Sequence, residues 1–196
     1  MAEPAPARLV IGITGASGVA IGVRLLELLR GTKIETHLVL SKAAELALTY
    51  ETDLLPKQVR ELAHVNHTVM ALGASIASGS FPTMGMIIAP CSVRTMSEIA
   101  TGVTSTLMSR AADVVLKERR RLVLAVRESP LHVGHLRTMT ALAEMGAIMA
   151  PIAPAFYIRP KSVDELIDHA AGRLLDLLGI ENDAVRRWKG GTETTR

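Results

Sequence analysis

The amino-acid sequence predicts a single α/β domain of the Rossmann-like or flavodoxin-like type, with a doubly wound parallel sheet. Short, wholly apolar runs alternate with amphipathic stretches, which is the pattern of parallel strands joined by crossover helices. Glycine-rich or hydroxyl-bearing turns follow several of these runs, as expected where parallel strands end at a ligand-binding edge. A chain of 196 residues without an internal repeat or linker suits one such domain.

The first elements follow from hydrophobic periodicity. Residues 8–13 form an apolar run that predicts a buried strand, and the tight turn 14–18 leads into a helix with an apolar stripe that ends near Arg30. Residues 34–40 predict a second strand. Its end at Ser41 is followed by a helix over about 42–50.

The middle of the chain is less regular. Residues 56–63 predict a short helix after a proline, and residues 66–82 are mostly small and polar, which predicts a loop. Residues 85–89 predict a buried strand that stops before Pro90. Two helices follow, over about 95–101 and 105–120.

The last third repeats the alternation. Residues 122–126 predict a strand, 135–145 a helix and 147–150 a final strand. A capping box at 162–165 marks the start of the last helix, which Gly179 ends. We expect one domain over residues 8–189, with a flexible N-terminus at 1–7 and a flexible tail at 190–196.

Composition indicates an assembling protein without a membrane span. Hydrophobic residues make up 48% of the chain and the mean hydropathy is +0.29, yet no apolar stretch approaches the roughly 20 residues that cross a bilayer. We therefore expect the apolar surplus in buried strands and in a homo-oligomeric interface. The N-terminus lacks the apolar core of a signal peptide, and the lone Cys91 suits a reducing cytoplasm.

The charge pattern favours small anionic ligands over nucleic acid. The net charge is only +3, and aromatic residues, which would stack on bases, make up 3% of the chain. The basic run 117–121 is more typical of a helix C-terminus than of a nucleic-acid patch. Cysteine and histidine form no cluster with the spacing of a metal site, so we expect no metal.

Three turns should meet at the carboxyl edge of the sheet. The turn Gly15–Gly18 follows the first strand, Ser41 the second and Ser92 the third. Each serine would serve equally as a plain helix N-cap. Together the turns would suit a phosphate or the polar edge of a flavin ring, and residues 78–80 could add backbone donors.

Arg127 and Glu128 close the strand at 122–126, where a guanidinium beside a carboxylate could hold an anion and move a proton. The alternative is a surface ion pair of little energetic value. Arg110, Asp113 and Lys117 share one helical stripe, as either a solvated salt-bridged face or an anion site.

Arg173 interrupts the apolar face of the last helix and must find a carboxylate, a phosphate or a subunit boundary. Tyr157 would either anchor its loop or donate to a phosphate oxygen. His132 and His135 have no convincing third ligand and are interpreted as structural. Cys91 has no recognisable base partner, so we expect a small buried residue.

These segments together resemble the UbiX/Pad family of flavin prenyltransferases, over nearly the whole chain. The matching pieces, in order, are Gly12–Gly18, Ser41–Ala44, Glu51–Thr52, Ala77–Ser80, Pro90–Ser92, Arg110–Val114, Leu116–Arg119, Arg127–Glu128, Pro130–Leu131, Pro154–Tyr157, Arg173 and Leu178–Ile180. Each piece is weak alone, but their joint order is specific.

The resemblance implies an enzyme that makes a cofactor. Reduced FMN would be alkylated at N5 and C6 by dimethylallyl phosphate without a metal. The product, prenylated FMN, would serve a UbiD-type decarboxylase. The family typically forms dodecamers with sites at subunit junctions.

The resemblance also assigns residues. FMN binding falls to Gly15, Ala16, Ser17, Ser41, Ser78, Gly79, Ser92, Val93, Arg94, Thr95 and Arg127. The resemblance assigns the binding of dimethylallyl phosphate to Tyr157 and Arg173, with Arg110 and Lys117 supporting it across an interface. The catalytic candidates are Glu128 for proton transfer, with Glu51, Lys117 and Ser17.

Two features point to the Pad or phenolic-acid decarboxylase branch of this family rather than the ubiquinone-pathway branch. Leu72 stands where some members place a tryptophan over the flavin, and the segment between Glu51 and Ser78 is short. Two alternatives stay open: an FMN-binding accessory subunit of an aromatic-acid decarboxylase, and a flavin-dependent cysteine-type decarboxylase. The second needs an early catalytic histidine, and His37 lies within a predicted strand.

Overall fold

A computed structural model describes residues 6–188 and confirms the predicted α/β class. The strands are β1 (Ala7–Ile13), β2 (Ile34–Leu40), β3 (Val65–His67), β4 (Gly85–Cys91), β5 (Arg121–Val126) and β6 (Ile148–Met149). They form one parallel sheet in the order β3-β2-β1-β4-β5-β6. The strand order therefore reverses between β1 and β4, and ligands of open α/β sheets bind at such a reversal.

Helices cover both faces of the sheet. They are α1 (Val19–Leu29), α2 (Lys42–Glu51), α3 (Pro56–Glu61), α4 (Val93–Ala100), α5 (Leu107–Lys117), α6 (Val133–Glu144) and α7 (Val163–Asp176). Alternate strand residues divide the core into two layers, so Leu9 and Ile11 pack with α1, α2, α3 and α7. Val10 and Met86 pack on the other face with α4, α5 and α6.

Close backbone approach fixes α1 on the sheet. A Cβ atom on Gly22 would lie 2.2 Å from the carbonyl oxygen of Ala89 in β4. Since such a distance is far inside van der Waals contact, only glycine allows the helix to sit at this depth. The packing holds the start of α1 beside the end of β4.

Three predictions of element boundaries were wrong. β3 lies at the start of the segment that was predicted as a loop, where it pairs with β2. β4 continues through Pro90 to Cys91 with a register shift against β5. α5 ends at Lys117 rather than near residue 120, because Arg119 takes a left-handed conformation with φ 54°.

The ends of the described chain bear on two further predictions. β1 begins at Ala7, one residue before the predicted domain start. Residues 1–5 and 189–196, which include most of the predicted flexible termini, lie outside the described residues. Between residues 6 and 188, no helix is long and apolar enough to cross a bilayer.

Candidate functional site

Thr14 joins the ends of β1 and β4 at the reversal of strand order. Its hydroxyl donates to the carbonyl oxygen of Pro90 at 2.7 Å and accepts from the backbone N–H of Ser92 at 2.8 Å. The side chain is only 2% exposed. The backbone N–H of Ser41 donates to the carbonyl of Ile13 at 3.1 Å, which brings the end of β2 to the same point. The predicted convergence of three strand ends is therefore present.

A cleft of about 420 Å³ opens above these strand ends. Its walls include the hydroxyl-bearing Thr14, Ser41, Ser92, Thr95 and Thr106, and the apolar Val69, Met70 and Met108. The charged lining residues are Lys42, Arg94 and Glu98, of which Arg94 and Glu98 pair with each other at 2.9 Å, so that Lys42 is left for an anionic ligand. Such a wall can receive a flat ligand with one apolar face, a polar edge and a negative charge.

Hydroxyl groups in this cleft are oriented by the helix starts. Ser41 is the N-cap of α2 and accepts from the N–H of Ala44 at 3.1 Å, while Ser92 caps α4 by accepting from the N–H of Thr95. Ser92 also donates to the Thr95 hydroxyl at 3.2 Å. Among the described residues, the hydroxyl hydrogens of Ser41 and Thr95 have no acceptor. Both are available to a ligand in the cleft.

The turn from Gly15 to Gly18 connects β1 to α1 and brings Ala16 and Ser17 to the same edge. A Cβ on Gly15 would lie 2.3 Å from the Cβ of Ala43, so the turn passes directly against the start of α2. Ser17 is exposed and Ala16 is half-buried. Gly15 lines the cleft, whereas Ala16 and Ser17 lie outside its lining.

Glu51 binds the N-terminus of α1, where the sequence had suggested only an anion. One carboxylate oxygen accepts from the N–H groups of Gly18 at 2.8 Å and Val19 at 3.1 Å. Gly18 is the N-cap of α1 and has no side chain to do this. Glu51 thus supplies a missing cap from the end of α2, a role that sequence reasoning did not assign.

Arg127 and Glu128 follow β5 at the same edge of the sheet. The Arg127 N–H donates to the carbonyl of Cys91 at 3.2 Å, next to the start of α4, whose first residue is Val93. The Glu128 carboxylate accepts only from the N–H of Ser129, at 2.9 Å, within the described residues. Both side chains are exposed, as is the loop up to Val133. They do not form the ion pair of the alternative interpretation.

A second cleft of about 310 Å³ lies between the segment after β6 and α7. Tyr157, His169 and Arg173 line it together with small and aliphatic residues. Arg173 is half-exposed and forms an ion pair with Asp176 at 2.7 Å, and Arg187 binds the same carboxylate at 2.9 Å. The two arginines hold the pKa of the Asp176 carboxyl below its ordinary value, Arg187 having the larger effect. Arg173 therefore pairs with the Asp176 carboxylate and also lines this cleft.

Arg110 and Lys117 lie elsewhere in the single chain. Arg110 donates from Nε to the carbonyl of Ala77 at 3.1 Å and pairs with Asp113 at 2.8 Å. Lys117 lies about two helical turns further on and pairs with Glu118. The hydrogen bond from Lys117 is the largest cause of the lowered pKa of the Glu118 carboxyl.

The loop with Ser78 and Gly79 accompanies Lys117. A Cβ on Gly79 would lie 2.7 Å from the Lys117 Nζ atom, and the Gly79 carbonyl accepts from Arg120 at 2.7 Å. Because α5 ends where β5 begins, this group lies at the opposite end of the strands from Thr14. One chain therefore does not bring Lys117 and Gly79 to the cleft above the strand ends.

The residues interpreted as structural have structural surroundings. Burial raises the pKa of the Cys91 thiol to about 12, which leaves no thiolate at neutral pH. His132 caps α6 by accepting from the N–H of Gly134 at 3.0 Å, and its ring stacks on His135 at 3.6 Å. Within the described part of the chain, no group of three potential ligands is placed to hold a metal ion.

Sequence reasoning missed several residues of these clefts, among them Lys42 and His169. Lys42 lines the cleft above the strand ends, and its position directly after Ser41 was the available signal. His169 lines the second cleft with Arg173, and the spacing of four residues on one helix was the available signal.

Comparisons with known proteins extend over nearly the whole chain. The family model described as Flavoprotein matches residues 2–175. The flavin prenyltransferase UbiX of Escherichia coli (strain K12) is 54% identical over 186 residues, which are 93% of this chain and 98% of that protein.

Two solved structures are similar to the whole fold. AnUbiX (PadA1), in complex with FMN and dimethylallyl pyrophosphate, is 46% identical with a TM-score of 0.93, and the match covers 95% of this chain and 99% of that chain. A dodecameric FMN-dependent UbiX-like decarboxylase from Escherichia coli O157:H7 is 47% identical with a TM-score of 0.91. That match covers 93% of this chain and 100% of the other.

Proposed function

The chain belongs to the flavoprotein family and, within it, to the UbiX-type flavin prenyltransferases, and we propose that it joins the dimethylallyl group of dimethylallyl phosphate to reduced FMN. The observation that carries the proposal is the near full-length identity to a solved relative that holds FMN and an allylic diphosphate. The two clefts support it, since the reaction needs one site for a flavin and one for an allylic phosphate.

The cleft above the strand ends fits the flavin. Within residues 6–188 the hydroxyl hydrogens of Ser41 and Thr95 have no acceptor, so they can bind the polar edge of the ring. The apolar Val69 and Met108 can pack against its face. We assign flavin binding to this cleft together with Gly15, Ala16, Ser17, Ser92, Val93, Arg94 and Arg127. Bound reduced FMN supplies N5 and C6 as the two positions that the five-carbon group joins.

Tyr157 and Arg173 bind the phosphate of the allylic donor. When the carbon–oxygen bond breaks, the phosphate leaves with the electron pair, and its negative charge needs donors in a dry site. The Arg173 guanidinium and the Tyr157 hydroxyl face one cleft and provide such donors.

Arg110 and Lys117 complete the anion site from a neighbouring subunit. In a single chain Lys117 lies at the end of the strands away from Thr14, so only a second copy can bring it to the flavin cleft. Gly79 lies beside Lys117, and Ser78 directly precedes Gly79 in the chain. The same second copy would therefore bring both residues to the flavin. A dodecamer, as in the relative from Escherichia coli O157:H7, would provide such junctions.

Exposed apolar side chains support assembly. Large examples are Tyr50, Leu55, Met70, Phe156 and Trp188, each more than 60% exposed in the single chain. Subunit contacts such as those of the dodecameric relative would cover side chains of this kind.

Glu128 transfers the proton that ring closure releases at C6. Its carboxylate stands on an exposed loop at the carboxyl end of β5 and has no cationic partner among the described residues, so it is free to move toward a ligand. Glu128→Gln should retain FMN and stall product formation. Full activity of this variant would remove Glu128 from the mechanism.

Arg173 and Arg187 offer a matched test of the phosphate site, because both bind Asp176 but only Arg173 lines the cleft with Tyr157. Arg173→Gln should raise KM for dimethylallyl phosphate by about 10- to 100-fold, the value of a charge-assisted hydrogen bond. Arg187→Gln should leave KM within about twofold. Equal effects of the two variants would place the phosphate elsewhere.

The single cysteine bears on the location of the protein in the cell. We assign it to the cytoplasm, where a lone buried thiol such as Cys91 stays reduced, and the prenylated FMN passes to a UbiD-type decarboxylase. The accessory-subunit alternative predicts FMN binding without turnover by the isolated chain. The cysteine-decarboxylase alternative lacks its histidine, since His37 is buried in β2 between Glu35 and His67.

A further inference from the structure

His169 lies directly behind Tyr157 in the second cleft. Its Nε2 atom is 3.2 Å from the Tyr157 hydroxyl oxygen, and the two rings meet edge to face with centroids 5.7 Å apart. The imidazole is 5% exposed. It stands one helical turn before Arg173, and all three side chains line the same cleft.

The hydrogen-bond pattern of this imidazole restricts the position of its proton. Nδ1 of His169 is buried and has no partner among the described residues. Among buried backbone groups an N–H without an acceptor is rarer than a carbonyl without a donor, and a ring N–H buried without an acceptor carries the same kind of desolvation cost. The favoured neutral tautomer therefore carries its hydrogen on Nε2 and donates it to the phenol oxygen of Tyr157.

Burial and the positive charge of Arg173 both lower the pKa of His169, burial having the larger effect. The carboxylate of Asp176 opposes these two effects without reversing them, so the neutral imidazole is favoured and a second cation beside Arg173 is disfavoured.

A phenol has one hydrogen to donate. If the oxygen of Tyr157 donated to His169, that hydrogen would be lost to any ligand in the cleft. With Nε2–H as the donor, the phenol hydrogen is left for a ligand in the cleft that Tyr157 and Arg173 both line.

We propose that His169 is a positioning residue that holds the Tyr157 oxygen through its Nε2–H and so directs the phenol hydrogen to the phosphate of the allylic donor. The inference rests on the proposed function for the identity of the phosphate, and it adds the residue that orients a donor in that site. His169 touches Tyr157 and need not touch the substrate.

A double-mutant cycle with Tyr157 separates this role from a structural one. His169→Phe should raise KM for dimethylallyl phosphate about tenfold, as expected for one lost hydrogen bond, and change kcat and FMN affinity less than twofold. In a Tyr157→Phe background, His169→Phe should raise KM by less than a further twofold, because the oxygen that His169 holds is absent. Additive effects would overturn the proposal.

His169→Gln is the second variant, since its side-chain amide offers an N–H donor at a similar reach. Its KM should stay within about threefold of the wild-type value, and it decides the question if the phenylalanine variant fails to fold. A folded glutamine variant whose KM is raised about tenfold over that of the wild type would contradict the hydrogen-bond role.

A binding measurement keeps the test independent of turnover. Trp188 is the only tryptophan of the chain, and its ring lies 5.8 Å from that of Tyr157. Its fluorescence should respond to inorganic phosphate, with about tenfold weaker binding in His169→Phe. Absence of wild-type turnover with this response intact would reject the proposed function alone. Equal phosphate affinities in wild type and His169→Phe would reject the role of His169.

Discussion

Thr14→Val tests how the site is built into the sheet. The substitution keeps the shape of the side chain but removes the hydroxyl that donates to Pro90 and accepts from Ser92. The Pro90 carbonyl oxygen still accepts from the backbone N–H of Thr14 at 3.2 Å, whereas the Ser92 N–H loses its acceptor.

The expected loss in the free energy of unfolding follows from these two hydrogen bonds. One lost hydrogen bond costs about 1 kcal/mol and one unsatisfied buried N–H about 1–3 kcal/mol, so we expect a loss of about 3 kcal/mol in the free energy of unfolding. For a chain of this length the melting temperature should fall by about 6–12 °C. FMN affinity should fall as well, because the released N–H begins the helix that Ser92 caps.

Urea denaturation at fixed protein concentration, followed by circular dichroism, measures the effect. Thr14→Ser keeps both hydrogen bonds and should lose only about 1 kcal/mol for its methyl group. Thr140→Val is the matched control, because its hydroxyl donates to a carbonyl of its own helix at an exposed position. If Thr14→Val and Thr140→Val unfold at the same urea concentration, the two hydrogen bonds of the Thr14 hydroxyl do not stabilise the protein.

Three further predictions concern the start of α1 and the histidines. Glu51→Gln removes the charged cap of α1 and should cost about 1–2 kcal/mol, measured by the same denaturation; unchanged stability would deny Glu51 the capping role. Gly22→Ala should cost about 1–3 kcal/mol or more because its Cβ meets a β4 carbonyl, whereas Gly31→Ala, with open space around it, should cost under 1 kcal/mol. Burial lowers the pKa of both His67 and His169 from 6.5, so the unfolded chain binds more protons below that pH. Stability should therefore fall as the pH drops from about 6.5 toward their lowered pKa values, and a flat melting temperature between pH 7 and 5 would contradict these shifts.

Much of the fold could be predicted because its strands are buried on both faces. β2 matches its predicted bounds, and β1 and β5 each begin one residue before theirs, since continuous apolar runs mark such strands clearly. β3 could not be predicted, because its three residues include an asparagine and a histidine and depend on pairing with β2. Pro90 misled the prediction of β4, since proline usually ends a ladder while here the strand resumes at Cys91.

Site residues at strand ends could be predicted, whereas contacts between distant segments could not. Ser41 and Ser92 follow apolar runs, so their convergence follows from the parallel order of the strands. Nothing in the sequence places Glu51 on the first turn of α1 or His169 behind Tyr157, because both contacts depend on how helices pack. The distance of Lys117 from the strand ends, by contrast, follows from the predicted order of elements, because the helix over 105–120 leads directly into the strand at 122–126.

Mass spectrometry of the flavin tests the central claim most directly. The purified protein is incubated without oxygen with FMN, dithionite and dimethylallyl phosphate, and the flavin is then extracted. The account predicts FMN enlarged by one five-carbon unit, formed by the isolated chain and formed much more slowly by Arg173→Gln. Unmodified FMN from a folded, FMN-binding oligomer, with both the monophosphate and the diphosphate donor, would contradict it.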